Sequence, residues 1–215
     1  MEPPLTIGMG TRYHPAVKAT LVGIVVALLC SARGSVAQGT AGPRWPPRAT
    51  VLVWLDRDDA PVGAAALVDR ALSNWNAAAA GSLVLKRTPD AKAAGIQIHF
   101  GMRPGLYGET RPRIDPHTGA IVSANVTIAT ETGIDDPVTA RIVVYLTALH
   151  ELGHGIGLRH TDDFADIMYA FRRPDDGEQY FGAYRRRLHS PDDIGSAQAS
   201  GLSSNDVAAV RALYR

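Results

Sequence analysis

Hydrophobic and polar positions follow two different periods along this chain, and the change of period marks the elements. TVLVWLDR (residues 50–57) is β-branched and apolar and predicts a buried strand. SLVLKR (82–87) and GIQIHFG (95–101) predict short strands, with His99 facing away from Ile98 and Phe100 in the period-two pattern. GAIVSANVTIAT (119–130) is again rich in β-branched residues and predicts one bent strand, or two. Between the first two strands the period lengthens. Val62, Ala65, Ala66, Leu72, Trp75 and Ala79 make a helical apolar face, with Pro61 near its start and Gly81 as its C-cap.

Asp136 followed by Pro137 forms an N-cap and N1 pair. VTARIVVYLTALHELGHG (138–155) continues from it as a helix that is apolar round most of its circumference, and is therefore buried. From Gly155 onward the glycines argue that the helix has stopped. SSNDVAAVRALYR (203–215) predicts a closing helix capped by Ser203 or Ser204, with Asp206 in its first turn and Val207, Val210 and Leu213 on one face. MRPGLYGETRPRIDPHTGA (102–120) reads as a loop from its Pro and Gly content, and residues 162–200 read as irregular and polar.

The amino terminus differs in kind. Arg12 and Lys18 precede ATLVGIVVALLC (19–30), an uncharged apolar run of signal-peptide length, shorter than the roughly 20 residues that span a bilayer. Ser35 and Ala37 then supply small residues of the kind a signal peptidase requires. Residues 1–37 are read as a secretory leader, with Met9 as an alternative start, and 38–215 as the domain. The protein is expected to be secreted, extracellular or periplasmic; an uncleaved anchor through residues 19–30 is the alternative. Cys30 is the only cysteine and would leave with the leader, so the mature chain is expected to have neither disulfide nor thiol ligand.

Composition narrows the possibilities further. The 215 residues suffice for one domain with a real core, and 22 Lys plus Arg against 21 Asp plus Glu exclude a strong polyelectrolyte partner. Arg185, Arg186 and Arg187 are too short a run for a nucleic-acid stripe.

The chemistry concentrates in HELGHGIGLRH (150–160). On a helix His150 and His154 project from one face, one turn apart, which suits two imidazole nitrogens on one zinc. Glu151 lies beside them, where a carboxylate can take a proton from zinc-bound water and pass one to a leaving amine. Gly157 allows the chain to leave the helix in a conformation that costs glycine little, returning His160 as third ligand. Three protein ligands with a fourth position for water is the arrangement of a catalytic zinc, not a structural one. A core cluster of three histidines and a glutamate would be costly to bury without a cation.

This stretch resembles the extended metzincin motif at every fixed position, and ADIMYA (165–170) resembles the methionine-containing turn of that family, with Met168 eight residues after His160. Thr161 after the third histidine, the eight-residue interval and the terminal LSSNDVAAVRALYR are most similar to matrixins. Astacins and adamalysins have an acidic residue where Thr161 stands, and the tyrosine that serralysins and astacins place two positions after the methionine is Ala170 here. The resemblance covers about residues 45–215.

It implies an α/β (α+β type) zincin-like catalytic domain with a twisted, mixed five-stranded sheet, an active-site helix and a small irregular C-terminal subdomain. It implies a zinc-dependent endopeptidase, a monomer acting on protein or peptide, with His150, His154 and His160 on one zinc, Glu151 as general base and Met168 as a packing floor. The strand around 121–130 is expected to be the edge that pairs with an extended peptide. Three departures stand beside the resemblance. The cysteine that keeps matrixins latent is missing, and His99 and His117 do not rebuild the family's structural-zinc cluster. Calcium is left open, since Asp56, Asp58 and Asp59 suit a strand end equally well. A processing enzyme dedicated to one partner, a non-catalytic peptide- or metal-binding module and an amidase for non-protein substrates remain alternatives.

Overall fold

The structure is a computed structural model that describes residues 5–8, 42–101, 105–130 and 132–215. Among these residues six strands make one sheet: β1 (Leu5–Gly8), β2 (Thr50–Leu55), β3 (Val84–Arg87), β4 (Ile96–Gly101), β5 (Leu106–Ile114) and β6 (Ile121–Ala129). Their order is β1-β5-β6-β4-β2-β3. β3, β2, β4 and β6 run parallel, while β5 is antiparallel to β6 and to β1. The expected mixed sheet of five strands is thus β2–β6, and β1 adds to its edge.

Among the described residues there are four α-helices: α1 (Ala64–Ala79), α2 (Pro137–Gly155), α3 (Asp176–Arg185) and α4 (Ser204–Leu213). α1 and α2 pack against each other and against the sheet. Strand alternation drives this packing. Val51, Val53 and Leu55 of β2 and Ile96, Ile98 and Phe100 of β4 are buried, and the residues between them are half-buried. Between the helices Trp75 is fully covered, and its indole N–H donates to the Leu149 carbonyl at 2.8 Å. Asp136 caps α2 as expected, accepting from the Thr139 N–H at 2.7 Å, with Pro137 at N1.

Three expectations are corrected. Residues 106–114 are not loop but a nine-residue strand, β5. Its face toward α2 carries Gly108 and Thr110 instead of large aliphatics, because that face is pressed against Glu151; the hydrophobic alternation that announces a strand is therefore missing. A Cβ on Gly108 would meet Glu151 Cγ at 2.8 Å. It follows that β6 lies inside the sheet, between β5 and β4, and that β5 is the last of the five expected strands on that side, with β1 paired along its outer side. The segment 162–200 contains a helix, α3. Tyr180, Phe181 and Tyr184 sit at helical spacing along it, with Phe181 and Tyr184 buried. Gly177, which makes the stretch look irregular, lies where a Cβ would come within 2.7 Å of the Tyr107 hydroxyl.

Of the predicted leader only Leu5–Gly8 is described; the apolar run 19–30 and the cleavage position at Ala37 lie outside the described residues. No helix among the described residues is long and apolar enough to cross a membrane.

Candidate active site

The last two turns of α2 carry His150, Glu151 and His154, all buried. The helix then ends in a paired closure. Gly157 N–H donates to the His154 carbonyl and Leu158 N–H to the Gly153 carbonyl, both at 2.9 Å, which is the Schellman arrangement. Gly157 adopts φ +99°, and a Cβ there would lie 2.2 Å from the Pro43 carbonyl oxygen. Both the backbone angle and the space demand glycine. The chain reverses and returns His160, half-exposed, over the other two histidines.

The imidazoles are oriented by backbone. His150 Nδ1–H donates to the Ile167 carbonyl at 2.6 Å, and His154 Nδ1–H to the Leu158 carbonyl at 2.9 Å. Each of these rings is thereby set with a bare Nε2 pointing inward. His160 Nε2 stands 3.2 Å from His150 Nε2 and 3.1 Å from His154 Nε2. A single His160 N–H can satisfy at most one of those two contacts. Two nitrogens bound tetrahedrally at about 2.0–2.1 Å from zinc are roughly 3.3–3.4 Å apart, so the observed spacing fits one ion closely. Among the described residues these three histidines are the one group of His, Cys, Asp or Glu so arranged that it could hold a metal. Burial, reinforced by the neighbouring imidazoles, holds His150 well below the usual histidine range. Burial lowers His154 to about 3, and lowers His160 as well. All three are therefore neutral bases at ordinary pH, the form that binds metal.

Glu151 is fully buried. Its Oε2 accepts from the Thr110 hydroxyl at 2.7 Å, while its Oε1 has no hydrogen-bond partner. Burial pushes its carboxyl well above the ordinary range, the Thr110 bond opposes that shift and Glu109 adds to it. A divalent cation beside it would favour the carboxylate again.

Beneath the histidines Met168 is buried against α2, and a Cβ on Gly153 would meet its sulfur at 2.4 Å. The turn that carries it is tied at both ends. Thr161 N–H donates to the Met168 carbonyl at 2.8 Å, and Ala170 N–H to the Thr161 carbonyl at 3.1 Å. From α4, Asp206 Oδ2 accepts the Ile167 N–H at 2.9 Å, and Ser203 Oγ donates to Asp166 at 2.7 Å.

The family model for Matrixin matches residues 59–215. The chain belongs to the matrixin family. Matrixins use a catalytic zinc, and the histidine triad of this matrixin is a group that could bind it; the protein is a zinc metalloprotease. No curated protein sequence matches the chain.

The three histidines singled out in the sequence, His150, His154 and His160, come together at one point, and Glu151 follows His150 on α2 with its carboxylate against Thr110 of β5. His99 does not join them; it pairs with Asp56 at 3.2 Å on the half-exposed face of the sheet. Sequence reasoning missed Gly108 and Thr110, which stand on a strand it read as loop. It also missed Asp206 as a buried brace, although Asp206 had been placed in the first turn of α4. The capping-box spacing from Ser203 to Asp206 carried that signal.

Proposed function

We propose that this matrixin is a secreted endopeptidase that cuts within protein or peptide chains, with Glu151 as general base. One observation carries the reading: three Nε2 atoms converge at the end of a helix whose Glu151, next in sequence to His150, has one carboxylate oxygen held and the other without a partner. His150, His154 and His160 would hold the zinc. When bound, the ion supplies Lewis-acid polarisation of the scissile carbonyl and lowers the pKa of water.

The chain's own residues supply the rest. The outer edge of β5 offers backbone groups to an extended substrate, and Leu5–Gly8 already pairs there antiparallel, Ile7 opposite Gly108 and Thr6 opposite Glu109. Pairing of that kind positions a peptide without regard to most side chains, which suits cleavage within a chain. Glu151 accepts the proton of the attacking water at Oε1 and returns it to the leaving amine nitrogen. Secretion is supported by Arg12 and Lys18, the apolar run 19–30 and the small residues 35 and 37. The enzyme would act as a monomer, without nucleic-acid or membrane partners once the leader is removed.

The test is incubation of purified residues 38–215 with a diverse peptide mixture, with mass-spectrometric reading of the cuts. Controls are Glu151→Gln and a chelated sample. Internal cuts absent from both controls support the reading. Zinc bound at one equivalent with no internal cuts would overturn the endopeptidase activity and favour a binding role. N-terminal sequencing of exported protein tests the leader.

A further inference from the structure

The strand face opposite Glu151 has been shaped by two residues that the zinc chemistry alone does not explain. Gly108 and Thr110 both project from β5 toward α2, two positions apart. Gly108 leaves the volume that the Glu151 carboxylate fills: a Cβ there would lie 2.8 Å from Glu151 Cγ, 2.8 Å from its Oε1 and 2.6 Å from Thr147 Cγ2. Thr110 is wholly buried, and its hydroxyl lies 2.7 Å from Glu151 Oε2 and 2.9 Å from the Glu151 backbone carbonyl. One hydroxyl thus spans both the side chain and the main chain of the same residue. A β-branched side chain has few χ1 choices, so this hydroxyl is held where it stands.

We infer that Thr110 is a positioning residue that holds Oε2 of Glu151 and so reserves Oε1 as the oxygen that exchanges protons with water and substrate. This rests on the endopeptidase reading above. A buried carboxylate with no fixed partner rotates about its last torsion, because a terminal sp³–sp² torsion is broad and roughly two-fold. The Thr110 bond removes that freedom before substrate arrives. The hydroxyl can donate to a carboxylate oxygen or accept from a protonated one, and the Glu151 carbonyl is within reach of its proton in the second case. The same contact therefore survives while Glu151 carries the proton between water and amine. General-base catalysis depends on the base being held at hydrogen-bond reach of its proton, so orientation is worth rate here and not substrate affinity.

The experiment compares wild type with Thr110→Val, which keeps shape and removes the hydroxyl, and Thr110→Ser, which keeps the hydroxyl. Each protein is assayed for kcat and KM on one cleaved peptide, for zinc content and for Tm, and the wild type and Val proteins are crystallised. The expected result is a kcat lower by about tenfold to a hundredfold in Thr110→Val at unchanged KM and zinc content, with Thr110→Ser restoring most of it. In the crystal the Glu151 carboxylate of the Val protein turns away from its wild-type orientation. Full kcat in Thr110→Val, or an unmoved carboxylate, overturns the inference. So does a loss in both variants that tracks Tm or zinc content, which is packing alone. If wild type cleaves nothing, the endopeptidase reading fails, and the two crystal structures still decide whether Thr110 sets the carboxylate.

Discussion

Asp206 and His150 hold the two backbone polar groups of one residue, Ile167. Asp206 Oδ2 accepts the Ile167 N–H at 2.9 Å, and the Ile167 carbonyl accepts His150 Nδ1–H at 2.6 Å. The first turn of α4 thereby reaches a ring of the histidine triad through a single residue of the methionine turn. Asp206 also accepts the Ser203 N–H at 2.8 Å, and it is almost fully covered.

Replacing Asp206 by Ala removes one acceptor and leaves two N–H groups without it. The expected cost is about 1–3 kcal/mol, read as a Tm lower by roughly 3–10 °C. Zinc affinity should fall too, as outer partners of metal-bound histidines typically matter about tenfold or more. A thermal scan and a zinc-competition titration check both, and unchanged affinity would show that the Ile167 link carries no orientation.

Removal of zinc should destabilise the protein, because an ion that binds the folded state alone stabilises it by mass action. At a thousandfold excess over Kd the contribution is about 4 kcal/mol. Scanning calorimetry before and after chelation, then with zinc restored, should show a reversible drop in Tm. The same cycle in a His154→Ala protein should show almost none.

Gly157→Ala should be among the most damaging small substitutions. The position needs φ +99°, and the added carbon would lie 2.2 Å from the Pro43 carbonyl oxygen. About 2–4 kcal/mol is expected from strain and displacement together. Because the returning loop carries His160, zinc affinity should fall with stability. Denaturant unfolding and a zinc titration of the variant measure the two effects.

The cap of α2 gives a pH dependence of known sign. Asp136 is lowered from 3.8 to about 2, first by the hydrogen bonds from Thr139 and then by Arg185. A depressed carboxyl contributes its full stability above its unfolded pKa and loses it as pH falls through the folded value. The Tm difference between wild type and Asp136→Asn should therefore be constant above about pH 5 and shrink between about pH 4 and 2. A difference that stays flat to pH 2 would contradict the cap bond.

On the proposed function, the tetrapeptide Leu5–Gly8 and an incoming substrate would compete for the same backbone groups of β5, since Leu5 to Ile7 lie opposite Thr110 to Gly108. A chain that keeps these residues should cleave a peptide more slowly than one beginning at residue 38. The difference should narrow as peptide concentration rises. Equal initial rates at low peptide would remove β1 from the substrate edge.

The candidate metal ligands and Glu151 were legible in the sequence because the chemistry is local. An α-helix fixes where residues four apart point, Gly157 fixes where the chain turns, and Asp136 with Pro137 fixes where the helix begins. The strands β2, β4 and β6 were legible for the same reason, since period two is set by the backbone itself. β5 was not. Its inward positions answer to Glu151 across the sheet–helix boundary, so they carry Gly108 and Thr110, and no one-dimensional pattern marks a strand made to fit a carboxylate. That omission also misplaced the edge of the sheet, because strand order is decided by which strands pair, not by the strands' own residues. α3 was hidden by Gly177, a residue chosen for the approach of Tyr107 and not for helix propensity. The sequence by itself determined the candidate metal ligands and the helix and turn that carry them. Only the tertiary structure decided which oxygen of Glu151 is held, which strand packs against it, and that Asp206 stands behind His150, because each of these depends on groups brought together from distant parts of the chain.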